Sequence, residues 1–232
     1  MASKRELNKI AMSARILSAA KQLIYESGST SFSMNQLAET ADVALVTLYK
    51  HFDSKGGVIK SLFESHSVAM SDKLEEITRM ENSQPLDNVF SFCEAACQHL
   101  LEDENLYRPA LIGLIAVDSV SHERLKEWMP LWAQLLTTAA RSGDLQRFVD
   151  LNLVAGVIHV FFVGAVVKWA SREIDNAEFS AEATYGLALI LNGIASDKGR
   201  AYLAHKLASA EAECLFLMED LDESWKKEAG LS

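Results

Sequence analysis

The sequence predicts an all-α protein, on three observations. Apolar residues recur at steps of three and four along most of the chain, the spacing that builds one face of a helix. Sustained alternation, the mark of a half-buried strand, is hard to find. Only 3 prolines interrupt 232 residues, and alanine, leucine and glutamate, all strong helix formers, are abundant. Hydrophobic residues make up 49% of the chain and charged ones 23%, which suits a globular protein with a sizeable core.

The first helix shows in Ile10, Ala14, Leu17, Ala20 and Ile24. "ESGSTS" stops it, with Gly28 placed to take the left-handed conformation past its end. In "SMNQ", Ser33 can cap a short second helix while Gln36 reaches back from its third position. Met34, Leu37, Ala38 and Ala41 supply that helix's inner face. After a break at 41–44, Leu45–Phe52 forms a third helix with Leu48 and Phe52 facing inward. Two short helices joined by a tight turn, behind a longer one, make a helix-turn-helix unit. Ser54 can cap a fourth helix, from Lys55 to about Met80.

Further helices are expected near 86–103, 107–118, 122–142, 149–173, 178–196 and 200–228, with Pro109 and Pro130 near helix starts or at a kink. The most apolar run, Leu151–Val167, has 17 residues and contains Asn152 and His159. A membrane span needs roughly 20 residues, so this run reads as a helix buried on every side.

Charge is uneven. Residues 1–60 hold eight lysines and arginines against five acids, on a chain whose net charge is −10. A basic start on an acidic body is the footprint of a protein that offers one end to a polyanion. The cations gather with an aromatic in "TLYKHF", followed by Lys55. With these residues in view, "FSMNQLAETADVALVTLYKHFDSKGGVIKSLF" resembles the DNA-binding region of the TetR family of transcriptional regulators, over roughly residues 10–63.

That resemblance implies an all-α homodimer with a helix-turn-helix DNA-binding domain at 1–54 and a helical effector-binding and dimerisation domain at 55–232. The family's usual activity is repression relieved by a small molecule. The chain departs from the family pattern at Asp42, where the turn usually holds glycine, and at Ala44, where serine often precedes the recognition helix. Aspartate tolerates the left-handed conformation better than most residues. Alanine has no oxygen to cap the helix, which costs about 1 kcal/mol.

Nine residues are candidates for contact with double-stranded operator DNA. Tyr49 carries a hydroxyl on a rigid arm, and Lys55 lies at a helix N-terminus, where backbone N–H groups and the dipole favour a phosphate. Thr47, Lys50 and His51 lie on the face opposite Leu48; Lys50 can reach guanine acceptors or phosphate, and the Thr47 methyl can meet a thymine methyl. His51 reads alternatively as a cap on the recognition helix. Leu45 and Val46 offer apolar contacts, and Ser33 and Asn35 open the preceding helix towards backbone or base edges.

In the body, Phe90, Leu111, Ile115, Trp128, Trp132, His159 and Phe162 are candidates for the walls of an apolar cavity between the helices at 86–142 and 149–173. The small-molecule effector would then be largely hydrophobic. The aromatics read alternatively as core, and His159 as a satisfied core histidine. The dimer is expected to form through 149–173 and 178–196, where Tyr185, Leu187, Leu189, Ile190, Leu191 and Ile194 offer apolar surface and Gly186 and Gly193 permit close approach.

Cys93 and Cys97 are four apart, with His99 nearby, a spacing that could put two thiolates on one metal. Free cysteines are also among the most buried residues, and no second ligand pair is evident, so neither a metal nor a cofactor is expected. There is no glycine-rich phosphate loop, no HExxH and no nucleophile elbow, and so no catalytic residue to nominate. The competing reading is a helical adaptor or enzyme that keeps the fold without binding an operator. An adaptor would be free to lose Lys50 and Lys55, which this chain keeps. Its 3 cysteines are too few for a disulfide scaffold, and "MASKRELNKI" has no apolar stretch behind it. A cytoplasmic protein with no membrane partner is expected.

Overall fold

A computed structural model describes residues 3–79, 84–117, 128–146 and 148–228, and the regular elements among them are helices. In chain order these are α1 (Lys4–Ser27), α2 (Met34–Thr40), α3 (Leu45–Phe52), α4 (Lys55–Arg79), α5 (Pro85–Leu101), α6 (Glu104–Val117), α7 (Met129–Arg141), α8 (Leu151–Ala170), α9 (Asn176–Ile194) and α10 (Asp197–Glu228). Residues 122–127 of the helix expected near 122–142 lie outside the described residues. The chain forms two compact units, residues 1–69 with 102–122, and residues 70–101 with 123–232. The first boundary falls within α4.

In the first unit, Ser3 and Glu6 form a capping box at the start of α1, and Gly28 ends the helix at φ 62°. The inner face of α1 is Ile16, Ala19, Ala20 and Ile24. The spacing read from Ile10 is rotated from this: Ile10 is 63% exposed, because the helix from Glu6 to Ala11 lies open to solvent. Ala14 is exposed too. Leu37, Ala38, Ala41, Leu48, Phe52, Val58 and Leu62 close the core from α2, the turn, α3 and α4.

Helix α6 belongs to this unit through Leu106, which is buried in the same core. The Tyr25 hydroxyl donates to Asp103 at 2.6 Å, and a Cβ on Gly113 would run into the Thr30 side chain. Pro109 lies inside α6, which begins at Glu104, earlier than its apolar pattern indicated. The proline offers no N–H to the turn before it.

The second unit is built around α5, whose buried face is Leu86, Val89, Phe90, Phe92, Cys93, Ala96, Cys97 and Leu100. Pro130 sits in the first turn of α7, where a missing N–H costs nothing. The α7–α8 loop is stitched to the α9–α10 turn. Leu145 and Ala195 form a single β-bridge, the Gln146 N–H donates to the Ile194 carbonyl at 2.9 Å, and the buried Asp144 pairs with Lys198 at 2.8 Å. Asp150 caps α8 by accepting from the N–H groups of Asn152 and Leu153.

By length and composition α8 could cross a membrane, but it packs against α7 and α9 with Val154, Ala155, Ile158, Phe162, Ala165 and Trp169 buried. It is not buried on every side. Leu153 (72% exposed), Val157, Val160 (68%) and Gly164 form one open stripe at steps of four, three and four. On α9, Leu187 and Leu191 serve this chain's own core, while Leu189 is exposed. Gly186 is filled from within the chain by the Phe161 ring, whereas Gly193 faces open space.

Candidate nucleic-acid interface

The turn between α2 and α3 is made by Asp42, at φ 50°. Aspartate does here what glycine would do at less cost. The Arg15 guanidinium donates to the Asp42 carbonyl at 2.9 Å and ties the turn back to α1. Ala44 gives α3 no side-chain cap. Ser33 and Gln36 form the expected capping box on α2, at 3.1 and 2.7 Å. Asn35, Glu39, Asp42, Val43 and Leu45 line an open recess of about 360 Å³ between the two helices.

On α3, Leu48 and Phe52 are buried and anchor the helix. Anchoring this face turns Leu45, Val46 (61% exposed), Tyr49 and Lys50 to solvent, with Thr47 half-buried beside them. His51 is half-buried, and its Nδ1 lies 3.0 Å from the Ser13 hydroxyl on α1. Lys55, in the first turn of α4, lies over the Phe32 ring at 5.2 Å. That contact fixes the direction of a flexible cation. The Ser54 hydroxyl accepts from the Gly57 N–H at 3.1 Å. Gly57 itself is needed for packing: a Cβ there would collide with the Phe52 carbonyl.

The structure thus gathers Leu45, Val46, Thr47, Tyr49, Lys50 and His51 on one short helix, with Ser33 and Asn35 opening α2 and Lys55 opening α4. Sequence reasoning missed Ser13 and Arg15, which brace this surface from α1. Nothing in their spacing along α1 announces a partner 27 or 38 residues away.

The seven residues read as cavity wall are divided between the units. Leu111 and Ile115 fall in the first, and Phe90, Trp128, Trp132, His159 and Phe162 in the second. Trp128 stacks on Phe162 at 6.0 Å, and Trp132 meets Phe162 at 6.2 Å. Phe92 joins them edge-on to Trp132 at 4.9 Å, and Phe179 lies 6.2 Å from Phe162; neither was read from the sequence. Phe90 is buried under the Lys206 ammonium, and His159 is buried on α8. Cys93 and Cys97 are both buried. A hydrogen bond with Cys97 and burial push the Cys93 thiol well up, so it keeps its proton. Among the described residues no group of three or more His, Cys, Asp or Glu is arranged to hold a metal.

Residues 16–62 match the family model described as bacterial regulatory proteins, tetR family. The chain belongs to the TetR family of DNA-binding transcriptional regulators. Similarity extends past the DNA-binding head that this match covers. The fatty acid metabolism regulator protein of Bacillus subtilis (strain 168) is 23% identical over 184 residues, 78% of this chain and 94% of that one. The transcriptional repressor KstR2 of Rhodococcus jostii (strain RHA1) is 21% identical over 78% of this chain and 90% of its own. Among solved structures, the Thermus thermophilus repressor FadR, in complex with lauroyl-CoA, matches with a TM-score of 0.64 at 20% identity, over 78% of this chain and 94% of that one. SmeT, repressor of a Stenotrophomonas maltophilia multidrug efflux pump, matches at 0.63 and 18% identity, over 80% and 91%. The TetR family is a non-enzymatic family of regulators.

Proposed function

We propose that this TetR-family regulator is a cytoplasmic homodimeric repressor, released from its operator by a small, largely hydrophobic ligand. The observation that carries the ligand class is the aromatic nest of the second unit, formed by the buried Phe92, Trp132 and Phe162 and the half-buried Trp128, with Phe179 beside it. His159, buried on α8, supplies a polar group in the same unit. Apolar walls with few polar groups bind ligands of matching character. Relatives and neighbours support the reading: one is a fatty acid metabolism regulator, one structure holds lauroyl-CoA, and another is a SmeT–triclosan complex. Operator contact falls to Tyr49, Lys50, Lys55 and their neighbours. Helix α4, whose residues are shared between both units, is the element through which ligand and operator affect each other.

The test is a mobility shift on the region upstream of the gene, repeated with long-chain acyl-CoA and with triclosan. A specific complex should form and be released by one of these ligand classes. A hundredfold loss of operator affinity requires about 2.7 kcal/mol of coupling, and by reciprocity operator DNA must weaken the ligand by the same factor. Calorimetry that finds equal ligand affinity with and without operator rules out this switch.

A further inference from the structure

We infer that Ser13 is a positioning residue for DNA contact: its hydroxyl gives its proton to His51 Nδ1 and so leaves Nε2–H as the ring's donor for a backbone phosphate. This rests on the operator reading above and adds to it a residue outside the helix-turn-helix.

Ser13 Oγ and His51 Nδ1 are 3.0 Å apart, and the contact joins α1 to the last turn of α3. Both residues are half-buried. A helical serine or threonine often turns its hydroxyl back to the carbonyl four residues earlier. Ser27 does so to Leu23, Thr137 to Ala133 and Thr184 to Ser180. Ser13 makes no such bond to Lys9, so its proton is available to the imidazole.

A neutral imidazole carries one proton, and the partner of one nitrogen decides which nitrogen holds it. When Nδ1 accepts from Ser13, the proton sits on Nε2. Phosphate oxygens only accept, so the Nε2–H form meets them while the other tautomer presents a lone pair. The same bond restrains the ring, which also lies 6.2 Å from that of Phe52. Exposed Tyr49 and Lys50 immediately precede His51 in sequence. Ser13 therefore prepares one donor of this group before DNA arrives, and the cost of ordering the side chain is met in folding.

The experiment uses the full chain at about pH 8, above the range in which imidazoles ordinarily take up a proton. The probe is a duplex selected from random DNA by the wild type. Long-range proton–nitrogen spectra separate the two tautomers, and loss of a signal in His51→Gln assigns it. Nε2–H is expected in the wild type, a mixture in Ser13→Ala, and Nε2–H again in Ser13→Thr. Operator affinity should fall about three- to tenfold in Ser13→Ala and return to within about twofold in Ser13→Thr. His51→Gln, whose amide nitrogen stands near Nε2, should bind better than His51→Asn, whose amide stands near Nδ1.

An Nδ1–H ring in the wild type overturns the proposal. So does a Ser13→Ala protein that melts earlier with its tautomer unchanged, since that is a merely structural serine. A wild type that selects no duplex removes the operator reading and this proposal together. A wild type that binds while Ser13→Ala binds equally tightly removes only the role of Ser13.

Discussion

Lys55 shows how one side chain's task follows from its surroundings. It sits in the first turn of α4, where the helix end already favours an anion, and its ammonium lies over the Phe32 ring. Lys55→Ala should lower the slope of log affinity against log salt by about 0.9 for each phosphate that the lysine neutralises. An unchanged slope would take Lys55 out of the interface. Tyr25 gives a prediction in pH. Its hydrogen bond to Asp103, with burial, pushes the phenol up to about 12. A group raised in the folded state stabilises fully below its unfolded pKa, near 10 for tyrosine, and that contribution is lost as pH rises through the folded value. The head should therefore lose stability between about pH 10 and 12, and Tyr25→Phe should flatten that part of the curve. Alkaline denaturation of both proteins checks it; parallel curves would mean the Asp103 contact carries no weight. Lys55 and Tyr49 were legible in the sequence because their neighbours in the chain define the motif. Ser13 and Arg15 were not, because each matters through a partner that only the folded chain brings near.

At the scale of elements, the sequence resolved what local rules govern. The Ser33–Gln36 capping box, the left-handed Gly28 and Asp42, and the Ser54 cap are set by residues within a few positions of one another, and all are present. The same locality fails for Gly57 and Gly186. Gly57 lies in a helix's first turn, where glycine costs about 1 kcal/mol relative to alanine, yet the Phe52 carbonyl occupies the space a Cβ would need. Gly186 reads as a place for another chain to approach, yet Phe161 of the same chain fills it. Periodicity placed the start of α6 too late, and Pro109, read as near a helix start or at a kink, lies inside the helix. Helix α3 remains short and without a side-chain cap. Ala44→Ser should supply the missing acceptor and stabilise the head by about 1 kcal/mol, read from chemical denaturation. No gain would mean that the backbone at Ala44, extended as a cap should be, does not bring the hydroxyl to the N–H groups of the first turn.

For the whole molecule, the question is what covers α8. Its exposed stripe of Leu153, Val157, Val160 and Gly164 is continuous apolar surface, and Phe148, 85% exposed, lies just before the helix. Leu189 and Gly193 are exposed on α9. The sequence showed α8 as apolar all round but could not say which residues the chain would keep for itself. Its inner face went to Trp169, Phe162 and Ile158, and the remainder is open. A lone soluble chain rarely leaves such a stripe to water. A two-fold partner would set the same stripe against itself, giving four helices at the interface. Such a dimer would present two recognition helices to successive turns of one DNA groove, about 34–36 Å apart. Val160→Glu places a charge on the stripe at a residue already 68% exposed, so the monomer's own core is untouched. Facing its own copy across the axis, that charge should convert the protein to monomers at micromolar concentration with little change in helical content. Operator affinity should fall with it, because each monomer then holds one half-site. Sedimentation and circular dichroism on the two proteins check this together. A wild type that sediments as a monomer, or a Val160→Glu protein that remains a dimer, would move the interface elsewhere.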